Sequence, residues 1–401
     1  MVHVQFKIDN MNMKKYKLGD LLSEFHAGKA IQTENVKNKG AYPVYGGNGQ
    51  RGYTDSYNQD GEYLIIGRQG AYCGNVRYNI GKAYLTEHAI VGQAKENHNP
   101  IYIALKLSLM KLSQLQGQSA QPGLSVNTLS CISMEMPPKE IQDKIADIML
   151  KLDRKIELNK QINDNLEAMV KQLYDYWFVQ FDFPNEEGKP YKSSGGVMVY
   201  NKKMKREIPQ GWSNGVLSDV ANITMGQSPD GSSYNEDGEG IIFYQGSTDF
   251  GLRFPDIRQY TTSPSRYANK GDILMSVRAP VGALNIANND CCIGRGLSAL
   301  SSKIGSMTHL YYLMNDFRLK FEGMNSAGTT FGSITKDELF SLPVIIPTKS
   351  VISEFEQVCE PIFDKQMIIG EEINALTKQR NELLPLLMNG QATVNYHLSA
   401  C

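Results

Sequence analysis

A long internal repeat constrains this chain of 401 residues more than any other feature. The segment Gly61–Leu64 resembles Gly271–Leu274, and Gln121–Leu129 resembles Phe331–Leu339. Both pairs lie 210 residues apart. A duplication on this scale predicts two domains of the same fold in one chain.

The spacing of the repeat changes along the chain. At the spacing of 210 residues Arg68 aligns with Arg278, whereas nearer the amino terminus the spacing is 199 and Leu18–Glu24 aligns with Leu217–Ile223. The two copies differ most in their loops, where insertions are tolerated best.

Each copy begins with short strands and ends with a long helix. The apolar segments Glu62–Gly67 and Asp272–Val277 have the composition of strands, and each runs into a glycine-rich turn that carries an arginine. Behind the strands, apolar residues recur at steps of three and four over about five heptads, which is typical of a coiled-coil helix. Pro137 and Pro347 mark where these helices begin.

The apolar stripe of each helix is predicted to pack against the stripe of the other. The first stripe comprises Ile145, Ile148, Leu152, Ile156, Ile162, Leu166, Met169, Leu173 and Trp177. The second comprises Val351, Phe355, Val358, Ile362, Ile369, Ile373, Leu376, Leu383 and Leu387. Asn159 falls on the first stripe, where a polar residue often fixes register. A helix from Pro138 to Phe178 would be about 60 Å long, enough to hold two domains roughly 18 base pairs apart. The alternative is a helical hairpin that only holds the fold together.

The composition argues against several classes of protein. With 41 Lys and Arg against 42 Asp and Glu, the chain lacks the basic excess of a simple nucleic-acid binder. Its six cysteines have no CxxC spacing and no histidine at a metal-ligand spacing, so we expect reduced thiols, no metal site and a cytoplasmic protein. The sequence has no apolar run of the length that spans a membrane.

Motifs of self-contained catalysis are missing from the sequence. Gly47–Gly52 satisfies GxGxxG, but turn-like residues follow it, so it predicts a hairpin loop rather than a dinucleotide site. The sequence also lacks a P-loop, HExxH, GxSxG and the [ND]PP[YFW] signature of amino-methyltransferases. We therefore predict no catalytic residues.

The turns of both copies are rich in hydrogen-bonding side chains beside glycine. Arginine can address guanine with two hydrogen bonds, and asparagine or glutamine can address adenine. The candidate DNA-contacting residues are Asn48, Gln50, Arg51, Arg68, Gln69, Tyr72, His88, Ser119 and Gln121 in the first copy, and Gln245, Ser247, Arg278, Arg295, Thr329, Thr330 and Ser333 in the second. Loops of this composition are also simply exposed loops, and His88 also fits a structural histidine.

The first long helix ends in a cluster of aromatic residues before the chain becomes rich in Gly, Ser, Lys and Glu. Tyr174, Trp177, Phe178 and Phe181 belong to this cluster. Large apolar side chains at a helix end either enter a core of the same chain or form a contact surface for another protein.

Several segments resemble the specificity subunit of type I restriction–modification enzymes, over nearly the whole chain. Leu173–Pro184, Gly188–Gly196, Arg206–Trp212 and Leu217–Val220 resemble the central conserved region and the start of the second target-recognition domain, and Asn381–Gln391 resembles the end of the distal conserved helix. The IPxGW motif before the second domain has no counterpart before the first, which begins MKKYKLGD.

The resemblance implies an α+β fold with an internal pseudo-two-fold repeat. Two β-rich target-recognition domains would be joined by two long antiparallel helices that form a coiled coil. The expected boundaries are 1–136 for the first target-recognition domain, 137–183 for the central conserved helix, 184–212 for a linker, 213–346 for the second target-recognition domain, 347–391 for the distal conserved helix and 392–401 for a tail.

The resemblance also implies a role without chemistry in this chain. Each domain would read one half of a bipartite sequence in double-stranded DNA. The helices would set the spacer and recruit two modification subunits and two restriction subunits. S-adenosylmethionine would bind the methyltransferase partner, and ATP and Mg would bind the translocase/nuclease partner, so no cofactor is expected here. Tyr174, Trp177, Phe178 and Phe181 become candidates for partner binding, with packing on the second domain as the alternative.

Two other readings of the sequence remain. A self-contained DNA methyltransferase or nuclease would bind S-adenosylmethionine or carry a catalytic site. A non-catalytic structural protein with paired heads would not discriminate among DNA sequences.

Overall fold

The computed structural model describes residues 4–5, 12–115, 123–326 and 332–394. The chain forms two compact units, the first of residues 1–157 and 375–401 and the second of residues 158–374. The boundaries fall inside the two long helices, so each helix contributes one part to each unit.

The first unit carries the first set of strands and short helices. In chain order these are β1 (Val4–Gln5), β2 (Lys14–Lys17), α1 (Leu18–Leu21), β3 (Leu22–Ala27), β4 (Tyr42–Gly46), β5 (Gly49–Thr54), β6 (Glu62–Gly67), β7 (Val76–Ile80), β8 (Tyr84–Leu85), β9 (Ala89–Ala94), α2 (Pro100–Ser108), α3 (Val126–Ser130), β10 (Ser133–Met136) and the start of α4 (Lys139–Tyr174). Helix α2 begins where Asn99 accepts hydrogen bonds from the backbone of Ile101 and Tyr102, with Pro100 in its first turn.

Two sheets form the frame of the first unit. One is antiparallel with the order β3-β9-β6-β7, and the other has the order β5-β4-β8 with a parallel β4–β8 pair. The hairpin β4–β5 contains the GxGxxG segment, which confirms the predicted hairpin loop. Buried apolar residues of β6, α2 and the start of α4 share one core.

The second unit carries the second set of elements. These are β11 (Met198–Asn201), β12 (Arg206–Pro209), β13 (Ser213–Val216), α5 (Leu217–Val220), β14 (Ala221–Met225), β15 (Tyr234–Asn235), β16 (Ile241–Tyr244), β17 (Gln259–Thr261), β18 (Tyr267–Ala268), β19 (Ile273–Ser276), β20 (Leu284–Ile286), β21 (Cys291–Ile293), β22 (Leu297–Ser302), α6 (Met307–Ser326), α7 (Lys336–Phe340), β23 (Pro343–Ile346) and most of α8 (Lys349–Met388). The first unit also receives the end of α8 and β24 (Thr393–Val394), which pairs with β1.

The sheets of the second unit repeat those of the first. Its antiparallel sheet has the order β14-β22-β19-β20, and its other sheet has the order β15-β17-β16-β21-β18, again with one parallel pair, β16–β21. The predicted α+β class with an internal repeat is therefore confirmed.

Backbone hydrogen bonds correct the predicted alignment of the two copies by one residue at the ends of β6 and β19. The N–H of Arg68 donates to the carbonyl oxygen of His88 at 2.9 Å, and the N–H of Val277 makes the equivalent bond to Gly296 at 2.9 Å. Arg68 therefore corresponds to Val277, and Gln69 corresponds to Arg278. The predicted alignment of Arg68 with Arg278 was therefore wrong by one residue. Such a shift matters because it exchanges the two faces of a strand.

The long helices run antiparallel in the second unit. Asn159 on α4 donates to Glu372 on α8 at 2.9 Å, and further along α4 Glu167 accepts from Gln366 at 3.0 Å. In the first unit Asp153 on α4 accepts from Arg380 on α8 at 2.9 Å. Asn159 is buried at this seam, as predicted.

Three residues of the predicted apolar stripes lie elsewhere. Ile162 and Met169 on α4 and Val358 on α8 are exposed. Nearby positions are buried instead: Asn163, Val170 and Cys359. The prediction was wrong here because α4 carries apolar residues on two faces, and periodicity cannot tell which face is covered. No helix in the described ranges combines the length and hydropathy that a membrane span needs.

Candidate nucleic-acid interface

In the first unit the polar turns meet at the end of the β4–β5 hairpin. The N–H of Thr86 donates to the carbonyl oxygen of Tyr45 at 2.9 Å, which brings the turn after β8 to the end of β4. The bond from Arg68 to His88 joins the turn after β6 to the same place. Three separate segments thus present side chains together.

Most of the candidate residues on these segments face solvent. Asn48, Gln50, Arg51, Gln69 and Tyr72 are exposed, whereas Arg68 and His88 are half-buried. The imidazole of His88 lies 3.2 Å from the carboxylate of Glu87, so one acidic group sits among the cations. Exposed amide and guanidinium groups in one place are what hydrogen bonding to base edges requires.

The structure adds Arg77 to this group, a residue that the sequence analysis missed. Arg77 is exposed on β7, and its Nη2 donates to the carbonyl oxygen of Asn48 at 3.0 Å. Gly49 makes this contact possible, because a Cβ there would lie 2.1 Å from Arg77 Nη1, and its φ of +105° also suits glycine. The alternation of strand Val76–Ile80 could have shown that Arg77 faces outward, but not which loop it meets.

The second unit gathers its candidates around Ser228. The hydroxyl of Ser228 accepts from the backbone N–H of Arg295 at 3.3 Å and lies 3.5 Å from Nε2 of Gln245. The backbone N–H of Gln245 donates to Asp249 at 2.9 Å, and Ser247 lies in the short turn between them. Arg295 is exposed and Gln245 is half-buried.

Arg278 and Ser333 are neighbours in the second unit. Their backbones form an isolated bridge, as do those of Gln69 and Gly123 in the first unit. Both Arg278 and Ser333 are exposed. The remaining candidates lie outside the described residues: Ser119, Gln121, Thr329 and Thr330.

The aromatic end of α4 is buried in the second unit. Tyr174, Trp177, Phe178 and Phe181 lie in one core with residues such as Trp212 and Phe355 of the same unit. The rings of Phe178 and Phe355 are 4.8 Å apart, and those of Phe181 and Trp212 are 5.4 Å apart. In this conformation the four side chains cannot offer a docking surface, and they follow the alternative of packing on the second domain.

His309 lies inside the same aromatic core. Its ring centre is 4.5 Å from that of Phe178, and its side chain is 2% exposed. Burial lowers the pKa of His309 from 6.5 to about 3, because a charged imidazole would lose its water shell there. The ring is therefore neutral at physiological pH.

A comparison with protein families decides what these paired units are. The model for the type I restriction modification DNA specificity domain matches residues 10–168 and 209–384. The chain belongs to this family. The two matches cover both copies of the repeat, which agrees with the duplicated sheets.

Two specificity subunits of Methanocaldococcus jannaschii are among the similar proteins. The type I restriction enzyme MjaIX specificity subunit is 27% identical over 381 residues, which are 85% of this chain and 84% of that protein. A second subunit is 34% identical over 283 residues, which are 68% of this chain but only 62% of its own length. The EcoprrI specificity subunit of Escherichia coli is 40% identical over 154 residues, 37% of this chain and 38% of that protein.

The fold of this family member also has a solved counterpart. The crystal structure of a type I restriction–modification S subunit from M. genitalium matches with a TM-score of 0.65, covering 95% of this chain and 97% of that one. The sequences are 16% identical, so this likeness concerns the fold alone.

Proposed function

We propose that this chain reads a bipartite sequence in double-stranded DNA for a type I restriction–modification complex in the cytoplasm. Each target-recognition domain would read one half-site. The observation that carries this proposal is the repetition of the interface: equivalent backbone bonds hold the polar segments in both units. The bond from Thr86 to Tyr45 at 2.9 Å has its counterpart in the bond from Gly294 to Tyr244 at 2.8 Å.

The frame is the same in both units, but the side chains on it differ. Asn48, Arg51 and Arg77 characterise the first interface, and Gln245 and Arg295 characterise the second. A common frame with different donors and acceptors would address two different base sequences, because the pattern of hydrogen bonds in the major groove identifies each base pair.

The chemistry would belong to other subunits. The relatives carry the name of specificity subunits, so we infer a recognition role without catalysis for this chain. Two modification subunits would bring S-adenosylmethionine, and two restriction subunits would bring ATP and Mg for translocation and cleavage. A partner would flip the target adenine out of the stack to methylate it.

An exposed apolar stripe on α4 is the best place for a modification subunit. It comprises Leu158, Ile162 and Met169 on α4 and Tyr176 in the π turn that follows, with exposed fractions between 37% and 52%. The spacings of four and seven residues put them on one helix face. Beside Met169 and Tyr176 lies an open groove of about 880 Å³ that Ala168 and Leu173 also line. A stripe with this repeat fits an amphipathic helix of the partner.

Methylome sequencing tests the proposed function. Cells with the gene should carry a split, adenine-methylated motif that disappears when the gene is deleted and returns with a plasmid copy. An unchanged methylome in cells that express the modification subunit would contradict the proposal.

Exchanging one domain tests the assignment of half-sites. Residues 40–121 replaced by the matching segment of another family member should change one half of the methylated motif and leave the other half intact. Changes in both halves would contradict the proposal of one reader per half-site.

A further inference from the structure

In the second unit, a short segment of the target-recognition domain reaches the two long helices. Arg253 and Phe254 are the innermost residues of this segment, and they are 6% and 1% exposed. A nearly buried arginine between a domain and its supporting helices requires an explanation, because burying a charge is costly unless it is paired.

Arg253 joins both helices to the domain. Its Nη1 lies 3.3 Å from the carboxylate of Glu167 on α4, and its Nη2 donates to the amide oxygen of Gln366 on α8 at 3.1 Å. Gln366 in turn donates to Glu167 at 3.0 Å. The planar guanidinium therefore fixes one geometry for three elements at once.

Aromatic rings complete the site of Arg253. Its guanidinium carbon lies 5.0 Å from the ring centre of Phe363 and 5.5 Å from that of Tyr311. Contacts of a cation with ring faces restrict its orientation further.

Gly370 lets the segment approach α8 closely. A Cβ at this position would lie 2.7 Å from the ring of Phe254 and 3.5 Å from Cδ of Arg253. Glycine destabilises the interior of a helix. Its presence in α8 is explained by the close approach of Phe254 to the helix backbone.

The segment is also tied to the sheet that carries the reading loops. The N–H of Ile286 on β20 donates to the carbonyl oxygen of Arg253 at 2.9 Å. Asn285 bonds the backbone of Gly251 in both directions at 3.2 Å. A change at Arg253 would therefore be transmitted to β20.

We propose that Arg253 is a positioning residue that fixes the orientation of the second target-recognition domain on the helix pair and so enforces the spacer length of the target. The inference rests on the proposed function. A role in stability alone is the weaker explanation, because apolar residues commonly replace buried ion pairs without loss of stability. Moreover, the Nε of Arg253 is buried without a hydrogen-bond partner among the described residues. The hydrogen bonds that the two Nη atoms and Gln366 make are directional, so they restrict the arrangement of the three elements even if they add little stability.

The first unit is tied to its helices in another way. Tyr78 on β7 donates to Asp153 on α4 at 2.6 Å, and Arg380 on α8 donates to the same carboxylate at 2.9 Å. Asp153 and Arg380 are 27% and 26% exposed, whereas the side chain of Arg253 is 5% exposed and that of its partner Glu167 is 33% exposed, so the shielding of the second contact comes from its cation alone. The two domains therefore use different contacts to hold their orientation.

The test compares the variants Arg253→Met and Arg258→Met in the complex assembled with modification subunits. Arg258 is an exposed arginine of the same segment and serves as the control. Methylation rates are measured on DNA with the native spacer and with spacers one base pair shorter and longer. For Arg253→Met we expect the preference for the native spacer to fall roughly tenfold, since displacement by about an ångström can cost two orders of magnitude in rate. Arg258→Met should keep the preference.

Gly370→Ala provides an independent variant, because alanine favours the helix and the substitution does not remove the guanidinium of Arg253. It should weaken the spacer preference in the same direction by displacing Phe254. Equal losses on all three spacers, or wild-type preference in both variants, would overturn the inference. If the wild-type complex itself methylates no split motif, the proposed function fails instead.

Discussion

At the scale of single residues, Arg77 shows how a strand can contribute to a loop interface. Its position on β7 is rigid, and its contact with Asn48 orients the guanidinium beside the β4–β5 hairpin. A side chain held on a strand loses less conformational entropy on binding than one on a mobile loop. It is therefore a good candidate for a specific base contact.

Replacing Arg77 with alanine should weaken recognition of the first half-site. A contact between arginine and guanine is worth about 1–3 kcal/mol, so binding of the assembled complex should fall roughly 5- to 150-fold. Competition binding with DNA altered in either half-site measures the effect. Lys95→Ala, an exposed cation of the same unit, is the control. Equal losses in both variants would indicate a general charge effect instead.

Replacing His309 with leucine should change how stability depends on pH. Because the pKa of His309 is about 3 in the folded state and 6.5 in its ordinary state, the unfolded chain binds a proton between these values and the folded chain does not. Stability from this group is present above pH 6.5 and is lost as the pH falls. Between pH 7 and pH 5 the wild type should lose about 2 kcal/mol more than His309→Leu.

Urea titrations at pH 5, 6 and 7 measure this difference. Parallel pH dependence in the two proteins would show that His309 binds protons in the folded core as it does in the unfolded chain. The contributions of other titratable groups to the pH dependence cancel in the comparison, because both proteins contain these groups.

The sequence predicted candidate loop residues but not how the fold arranges them. Asn48 stands between two glycines in a turn, and Arg51 stands next to Gly52, which are local patterns that can be read directly. Arg77 was missed because its role depends on a neighbour 29 residues away. Distances of that kind are set by strand pairing, which local composition does not specify.

At the scale of elements, helix α4 uses two faces for two purposes. One face carries Asn159, Val170 and Trp177 into the core of the second unit, whereas another presents Leu158 and Met169 to solvent. The helix ends in a π turn at Asp175–Val179, where Trp177 and Phe178 are buried and Val179 is exposed. The aromatic segment thus separates a packed side from an open side.

A double variant on the exposed face should lose the partner but keep the fold. For Met169→Ser/Tyr176→Ser we expect unchanged thermal unfolding and capture of the modification subunit reduced roughly tenfold or more, because central apolar contacts dominate such interfaces. Co-purification of the two proteins measures capture. Lys160→Ser/Asn165→Ser, two exposed polar residues of the same helix, is the matched control. Undiminished capture by the first variant would refute this docking site.

Trp177→Ala/Phe178→Ala tests the other face. These side chains are in the core, so each truncation should destabilise the second unit by about 3–5 kcal/mol. Loss of capture in that variant would follow from unfolding. The comparison of the two double variants separates docking from packing.

Helix periodicity predicted that both long helices exist but did not fix which face is covered. Asn159 and Asn163 are buried, whereas Ile162 is exposed, so the burial order contradicts simple hydropathy. The buried Asn159 donates to Glu372, which lies 213 residues away in the chain. The aromatic end was ambiguous for the same reason, because the interior of a domain and the centre of an interface have similar compositions.

At the scale of the whole molecule, the charge is balanced, with 41 basic and 42 acidic residues. Under the proposed function, DNA affinity would therefore come from local groups of cations. Arg51, Arg68 and Arg77 supply such a group in the first unit, and Arg278 and Arg295 supply one in the second.

The isolated chain should bind DNA weakly and with a strong dependence on salt. If about five arginines contact phosphates or bases, the logarithm of the affinity should fall with the logarithm of salt concentration with a slope of about −4 to −5. Fluorescence anisotropy of labelled DNA at salt concentrations from about 50 to about 200 mM measures this slope. A slope near zero would contradict binding through these groups.

The shared backbone frame has a consequence for how new specificities arise. Since the bond from Thr86 to Tyr45 is repeated by that from Gly294 to Tyr244, gene conversion within one coding sequence would deliver the loops of one half onto matching anchor points in the other. Under the proposed function, a protein made in this way would address two copies of a single half-site. Under the same proposed function, one recombination event would thus give a cell a methylation mark with two identical halves without inventing a binding loop.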